Sequence, residues 1–366
     1  MIKKAKKKRI LVALSGGVDS SCAAALLKEE GHEIIAVTFK MWPKEECGTV
    51  SRKACCSLEA IVRARSVAEK LGIPYYVIDY SKEFKKYVID YFCREYQRGH
   101  TPNPCVLCNE KIKFGYLLKK AQALGADYVA SGHYARVRFD RATGRYALRE
   151  SSEKGHDQSY FLFSIKQEQL EKIIFPLEEI SKRQVRKIAK KYGLMTHDVE
   201  SSQDICFSQD IPYAEYLDKK RGIRQIAGDI VDKDGKVLGR HKGICRYTIG
   251  QRRGLGIAHK EPLYVTAIDP KNNRIVVGEK HEVMKTSFIV ERMNWVSVSG
   301  ITKPIDADVK IRYRHVRAPA SIMPAGERRV RVDFKEPQEA PTPGQAAVMY
   351  VRDEVLGGGW IKEVIR

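Results

Sequence analysis

Residues Leu14–Ser21 read LSGGVDSS, and the fold turns on how they are read. They follow RILVAL (Arg9–Leu14), a short continuous apolar run of the kind that forms a strand buried on both faces of a parallel sheet. They open SSCAAALLKEEG (Ser20–Gly31), a helical pattern closed by glycine. Ser15, Gly16 and Gly17 let the backbone come close to a ligand, and the following helix aims N–H groups and its positive dipole end at the same place. Such a loop suits phosphate oxygens. No Gly-Lys-Ser/Thr follows, and the glycines lack the spacing of the dinucleotide fingerprint. A tight turn capped by Asp19 or Ser20 explains the glycines but not the whole string.

Outward from this loop, strand and helix patterns alternate. EIIAVTF (33–39), YYVIDY (75–80) and ADYVASGHYARV (126–137) read as further strands. SLEAIVRARSVAEKLG (57–72), EFKKYVIDYFCREYQRG (83–99), NEKIKFGYLLKKAQALG (109–125) and SKRQVRKIAKKYG (181–193) read as helices, the last capped by Ser181. Repeated βα units predict an α/β fold with a doubly wound parallel sheet, whose ligands bind beyond the carboxyl ends of the strands. After Cys206 the pattern changes to short alternating strands with Asp-Gly and Gly turns, predicting hairpins of a small barrel or sandwich. Domain boundaries are expected near 212 and 284.

The chain has 366 residues, 43% hydrophobic and 30% charged, which is a globular composition. Lys and Arg number 66 against 45 acids, a formal charge of +21, which favours a polyanionic partner, nucleic acid before membrane. No apolar run reaches the roughly 20 residues of a membrane span. The N-terminal MIKKAKKKRILVALSGG lacks a small-residue cleavage site, so a cytoplasmic protein with a basic tail is expected. Nine scattered cysteines argue for reduced thiols rather than a disulfide framework. Cys108 precedes a helical pattern with Lys111 and Lys113 close by, a setting that favours a thiolate. Cys206 lies in a polar loop, SSQDICFSQD (201–210). Cys22, Cys93 and Cys245 fall on apolar faces or in a strand and read as core. Cys47, Cys55 and Cys56 are a possible zinc group without a clear fourth ligand, and ordinary thiols are favoured. His133 suits either a place beside a nucleotide or a structural hydrogen bond. RHKGICRYTIGQRRGLG (240–256) suits either a phosphate backbone or a solvated hairpin.

SGGVDSS at a first strand-to-helix turn resembles the PP-loop ATP pyrophosphatases, which cleave ATP between its α and β phosphates and adenylate an oxygen. The resemblance implies that Ala13, Leu14, Ser15, Gly16, Gly17, Val18, Asp19 and Ser20 line the pyrophosphate site, with Mg²⁺ accompanying ATP. Phe39 and Gly132, each at a strand end, would flank the adenine and ribose. SGGVDSS, TPNPCVLCNEKIKF (101–114), SGHYAR (131–136), HDQSYFL (156–162), ICF (205–207), YTIGQRRGLG (247–256) and IRYRH (311–315), in that order, resemble the tRNA-specific 2-thiouridylases of the MnmA type over nearly the whole chain.

That family transfers sulfur to C2 of the wobble uridine of tRNA, consuming ATP. The resemblance implies a PP-loop catalytic domain over 1–212, a small β-rich central tRNA-binding domain over 213–283 and a C-terminal antiparallel β-barrel over 284–366. Carried over by position, Cys108 matches its nucleophile and Cys206 its persulfide-bearing cysteine. The pair would close a disulfide as thiouridine departs from an adenylated intermediate, releasing AMP and pyrophosphate. Asn103, Pro104 and Cys105 match the segment that meets the target base. His156, Asp157, Gln158, Arg312 and Tyr313 match tRNA contacts. The implied partners are the tRNA anticodon loop and a sulfur donor: a cysteine desulfurase, a sulfur-relay protein or free sulfide. A monomer is expected.

Many members carry Asp where this chain has Cys105. The third cysteine makes a [4Fe–4S] cluster on Cys105, Cys108 and Cys206 an alternative to the persulfide route, its open iron delivering hydrosulfide. The cluster is slightly favoured on this departure. An amide- or lysidine-forming PP-loop ligase would not use the cysteines. A basic RNA-binding protein or a redox metalloprotein would leave the phosphate loop idle.

Overall fold

A computed structural model describes residues 7–41, 57–198, 205–207 and 211–365, which leaves Cys47, Cys55 and Cys56 outside the described residues. The chain divides into two compact units, 1–88 with 105–210 and 353–355, and 89–104 with 211–352 and 356–366.

The first unit is built on β1 (Arg9–Ala13), α1 (Val18–Glu29), β2 (Glu33–Lys40), α2 (Leu58–Leu71), β3 (Tyr75–Asp79) and the short α3 (Ser81–Phe84). Its sheet has the order β3-β2-β1-β4-β7, with β4 at Tyr128–Ala130, β7 at Ile173–Ile174 and every pairing parallel. Ile10, Leu11 and Val12 are fully buried, as a central parallel strand requires. The chain leaves β1 toward β2 on one side and returns as β4 on the other. A crevice at the carboxyl end of β1 follows from that reversal. α1 is rich in alanine and buried around most of its circumference, so small side chains let it sit close to the sheet. It shares one core with α2 and with α8 (Lys182–Lys191), whose Val185 and Ala189 face inward while Arg183, Lys187, Lys190 and Lys191 stay exposed.

ADYVASGHYARV forms two strands rather than one. β4 ends at Ala130, the chain bends through Ser131–Tyr134, and β5 (Ala135–Asp140) pairs antiparallel with β6 (Arg145–Glu150) in a hairpin outside the parallel sheet, Arg149 of β6 pairing in turn with Glu354. The bend is where Gly132 approaches the loop after β1, so the break in the strand serves the site.

The second unit holds two cores. In one, β8 (Gly228–Val231), β9 (Val237–His241), β10 (Tyr264–Asp269) and β11 (Arg274–Gly278) form a sheet of order β10-β11-β8-β9, in which β11 and β8 run parallel. The all-hairpin expectation missed that pairing. Cys245 sits in a single turn at Ile244–Arg246, not in a strand, with its thiol 3.5 Å from the Tyr96 carbonyl. In the other, β12 (Met284–Trp295), β13 (Ile305–Lys310), β14 (Ala318–Pro324), β15 (Val330–Glu339), β16 (Ala346–Val351) and β17 (Glu354–Val364) are joined in the order β12-β15-β14-β13-β16-β17. β12 also pairs with β17, which closes an antiparallel barrel, and the sheet continues from β17 to β6 and β5. Phe288, Val309, Ala320, Val332 and Met349 alternate inward to fill it.

Candidate active site

The loop after β1 is held by its neighbour strand: the Leu14 N–H donates to the Val37 carbonyl at 2.8 Å, and the Thr38 hydroxyl to the Leu14 carbonyl at 2.6 Å. Gly16 has φ +72°, and a Cβ there would lie 2.2 Å from the Ala60 carbonyl oxygen of α2. Arg63 Nε donates to the Gly16 carbonyl at 3.1 Å, turning it away from the loop mouth. Gly132 presses on the loop from β4, where a Cβ would lie 2.5 Å from the Ser20 nitrogen. Only a hydrogen fits at either place.

α2 and α8 begin with serine caps, Ser57 accepting from the Ala60 N–H and Ser181 from the Gln184 N–H. α1 begins at Gly17 with no side-chain cap. Its first N–H groups are therefore offered to an anion brought from outside, together with the positive end of the helix dipole. Ser15 and Ser20 hydroxyls lie 3.1 Å apart within the loop, and Ser20 and Ser21 hydroxyls both donate to the Gly17 carbonyl. Phe39 is buried at the end of β2 with its ring 5.2 Å from Tyr80, which in turn lies 4.9 Å from Tyr116.

Two residues that sequence reasoning missed complete the site. Lys182 Nζ lies 2.6 Å from each carboxylate oxygen of Asp19, and the Tyr134 hydroxyl donates to Asp19 Oδ1 at 2.7 Å. The available signal was Ser181: as N-cap it puts Lys182 at the first helical position, where the dipole disfavours a cation.

His133 points elsewhere. Its Nδ1 lies 2.7 Å from the Ser131 hydroxyl, and its ring packs between Phe114 and Phe175. Burial, with Lys113 adding to it, holds its pKa well below the ordinary 6.5. The unfolded chain thus binds a proton below pH 6.5 that the folded chain does not, so stability falls as pH drops through that value and is level above it. Urea denaturation from about pH 5 upward should show this as a slope of at most about 1.4 kcal/mol per pH unit, flattened by His133→Gln. An unchanged slope in the variant would show that the folded protein protonates His133.

The segments that carry the two candidate sulfur-handling cysteines both contact one short helix, α3. Cys108, 9% exposed, opens a nine-residue π-helical stretch, Cys108–Tyr116, against which α3 packs. Phe207, beside the half-buried Cys206, sets its ring 6.1 Å from Phe84 of that same helix. Wide π turns are uncommon and recur at functional sites. The amide of Asn109 donates to the Phe161 carbonyl at 3.3 Å, while its carbonyl oxygen is buried with no hydrogen-bond partner among the described residues. Burial, with Asp19 adding to it, pushes the Cys22 thiol up to about 12, which keeps it inert.

The sequence matches three family descriptions in order: tRNA methyl transferase HUP domain over 8–210, tRNA methyl transferase PRC-barrel domain over 215–279, and aminomethyltransferase beta-barrel domain over 285–361. It is 48% identical to the tRNA-specific 2-thiouridylase MnmA of Geobacter metallireducens over 99% of this chain and 98% of that one. It is 45% identical to the protein of the same name from Clostridioides difficile, over 97% and 98%. The chain belongs to the MnmA-type tRNA-specific 2-thiouridylases.

In this thiouridylase-family chain the residues matched to RNA contacts fall into two groups. His156 is exposed, its ring 5.9 Å from Tyr134. Asp157 and Gln158 are turned to structural use. The Asp157 carboxylate, 5% exposed, accepts from the Ser151 N–H at 3.0 Å and the Ser159 hydroxyl at 2.7 Å, and Gln158 Oε1 accepts from the Tyr134 N–H at 3.1 Å. Asp157→Ala should therefore cost about 1–3 kcal/mol of stability by stranding buried donors, whereas His156→Ala should leave the melting temperature unchanged. Calorimetric melting of both variants checks this, and equal melting temperatures would refute the division. Asn103 is 8% exposed, Pro104 opens a one-turn helix at Pro104–Leu107, and Cys105 is exposed. Arg312 donates to the Glu339 carbonyl at 2.8 Å, and Lys310 Nζ lies 5.3 Å from the centre of the Tyr313 ring, in a basic loop that also exposes Arg314. The loop Arg252–Leu263 borders an open hollow of about 580 Å³ whose lining mixes Arg252, His259, Lys260 and Glu261 with apolar residues such as Leu255 and Ile257.

Among the described residues no group of three or more His, Cys, Asp and Glu is gathered to hold a metal ion. Cys105 is exposed, Cys108 buried and Cys206 half-buried, and the three thiols are not gathered as a ligand set. No helix among the described residues is long and apolar enough to cross a membrane.

Proposed function

We propose that this chain is an ATP-dependent tRNA-uridine 2-sulfurtransferase that forms 2-thiouridine at the wobble position. The observation that carries this reading is an uncapped, glycine-lined anion cradle after β1, in a chain 48% identical to a named thiouridylase over 99% of its length. Ala13 to Ser20, with Phe39 and Gly132, take ATP with its Mg²⁺. The uridine O2 attacks the α-phosphorus, and pyrophosphate leaves. The terminal sulfur of a persulfide on Cys206 then attacks C2, and AMP leaves with the C2–O bond. The Cys108 thiolate attacks the inner sulfur, closing a Cys108–Cys206 disulfide and releasing thiouridine; an external thiol restores the pair. Packing of both cysteine segments on α3 supports the pairing.

Asn103, Pro104 and Cys105 meet the target base, which is taken out of its loop as RNA readers generally require. His156 and the barrel residues Arg312 and Tyr313 grip the tRNA, and Asp157 and Gln158 act by fixing the loop that displays His156. In this reading residues 1–212 are the catalytic domain, and 213–283 and 284–366 hold the tRNA. Sulfur reaches Cys206 from a persulfide-carrying donor protein, or from hydrosulfide that attacks Cys206 in the Cys108–Cys206 disulfide, forming the Cys206 persulfide and releasing the Cys108 thiol.

The test is mass spectrometry of tRNA nucleosides after incubation with ATP, Mg²⁺ and a sulfur source. Wobble 2-thiouridine is the expected product, and 4-thiouridine or lysidine would overturn the assignment. An iron-bearing protein isolated without oxygen, inactive with a persulfide donor, would replace the disulfide steps with cluster chemistry.

A further inference from the structure

We infer that Lys182 is a phosphate-binding residue for the nucleoside triphosphate, held in reserve on Asp19 until the triphosphate and its cation arrive. The inference rests on the reading of the loop as an ATP site. Asp19 is the second residue of α1, beside the uncapped N–H groups that should receive phosphate. A bare carboxylate there would repel the ligand. In the structure it is neutralised by Lys182 at 2.6 Å to both oxygens and by the Tyr134 hydroxyl at 2.7 Å. Burial, then the Asp19 carboxylate, push the Tyr134 phenol far above its ordinary value, so it stays a donor.

Lys182 gains nothing from its own helix. It is the first residue of α8, followed by Arg183, with no acidic residue in that turn, so two cations sit at the positive end of a dipole that favours anions. A local rule broken in this way points to function rather than to helix stability. Its side chain is 15% exposed and that of Asp19 28%, so the pair is sheltered yet reachable.

The exchange leaves no charge alone. The divalent cation carried by ATP takes the Asp19 carboxylate, and the released ammonium takes phosphate oxygens of the triphosphate. When the uridine O2 bonds to the α-phosphorus and the bond to the bridging oxygen breaks, the electron pair departs on pyrophosphate, where the ammonium is placed to receive it.

Titration calorimetry on the whole protein with ATP, with and without Mg²⁺, tests this. Lys182→Met should weaken ATP binding about ten- to a hundredfold in both conditions, as loss of a charge-assisted hydrogen bond does. Lys182→Arg, which keeps the charge, should stay within about threefold of wild type and guards against misfolding. Asp19→Asn frees the ammonium, so it should tighten Mg²⁺-free ATP severalfold while abolishing the gain from Mg²⁺. Adding Lys182→Met to it should erase the tightening. A structural latch predicts no such tightening. ATP binding by Lys182→Met equal to wild type, or no change of Mg²⁺-free affinity in Asp19→Asn, would overturn the inference alone. Wild-type protein that binds no ATP would overturn the proposed function as well.

Discussion

Cys108→Ser and Cys206→Ser are each expected to lower 2-thiouridine formation by about a thousandfold or more, while tRNA-dependent release of pyrophosphate continues at first turnover in both and release of AMP continues only in Cys108→Ser. In the proposed reading the two chemistries reside on different elements. Adenylation would use the loop after β1, with α1 and Gly132. Sulfur transfer would use the thiols of segments that contact α3. A hydroxyl cannot carry a persulfide and is a far weaker nucleophile toward sulfur than a thiolate. The two variants should also differ. Cys108→Ser should load a persulfide on Cys206 and, with tRNA and ATP, stall with Cys206 joined through that sulfur to uridine C2, visible by mass spectrometry, whereas Cys206→Ser should accept no sulfur there. Full thiolation by either variant would remove that cysteine from the mechanism.

The converse phenotype is expected from the glycines. Gly132→Ala places a methyl 2.5 Å from the Ser20 nitrogen and 2.6 Å from the Asp19 carbonyl carbon. Both obstacles are backbone, so the loop itself must shift. Gly16→Ala sets a methyl 2.2 Å from the Ala60 carbonyl oxygen, on a residue with φ +72°, which a side chain disfavours. A displacement of about 1 Å at a reacting group costs on the order of a hundredfold in rate. Both variants should lose ATP binding and AMP release by about that factor, yet still load persulfide on Cys206. Retention of ATP affinity in Gly132→Ala would show that the loop tolerates the shift and that the triphosphate does not depend on its present shape.

These opposite phenotypes follow from where the chain wrote its information. The loop, the buried strand before it and the alternation of strand and helix are local patterns, set by neighbours within a few residues. The full-length resemblance to the thiouridylases likewise rested on contiguous strings. Asp157 and Gln158 show where such reading stops. They stand in the same string as His156, yet the fold turns them inward onto Ser151, Ser159 and Tyr134 and leaves only the histidine displayed. The parallel pairing of β8 with β11 was hidden for the same reason, since hairpin signals describe strands adjacent in sequence and not partners more than forty residues apart.

By itself the sequence determined a parallel α/β domain with a phosphate loop, β-structure after it and the thiols available for sulfur chemistry, because turn chemistry and hydrophobic period are properties of short segments. Tertiary structure alone decided that Lys182 and Tyr134 meet Asp19, 163 and 115 residues away, and that Gly132 seals the cradle. An ion pair across that separation leaves no periodic trace along the chain. It exists because α1 and α8 pack against one core, and only that packing sets which charge faces which.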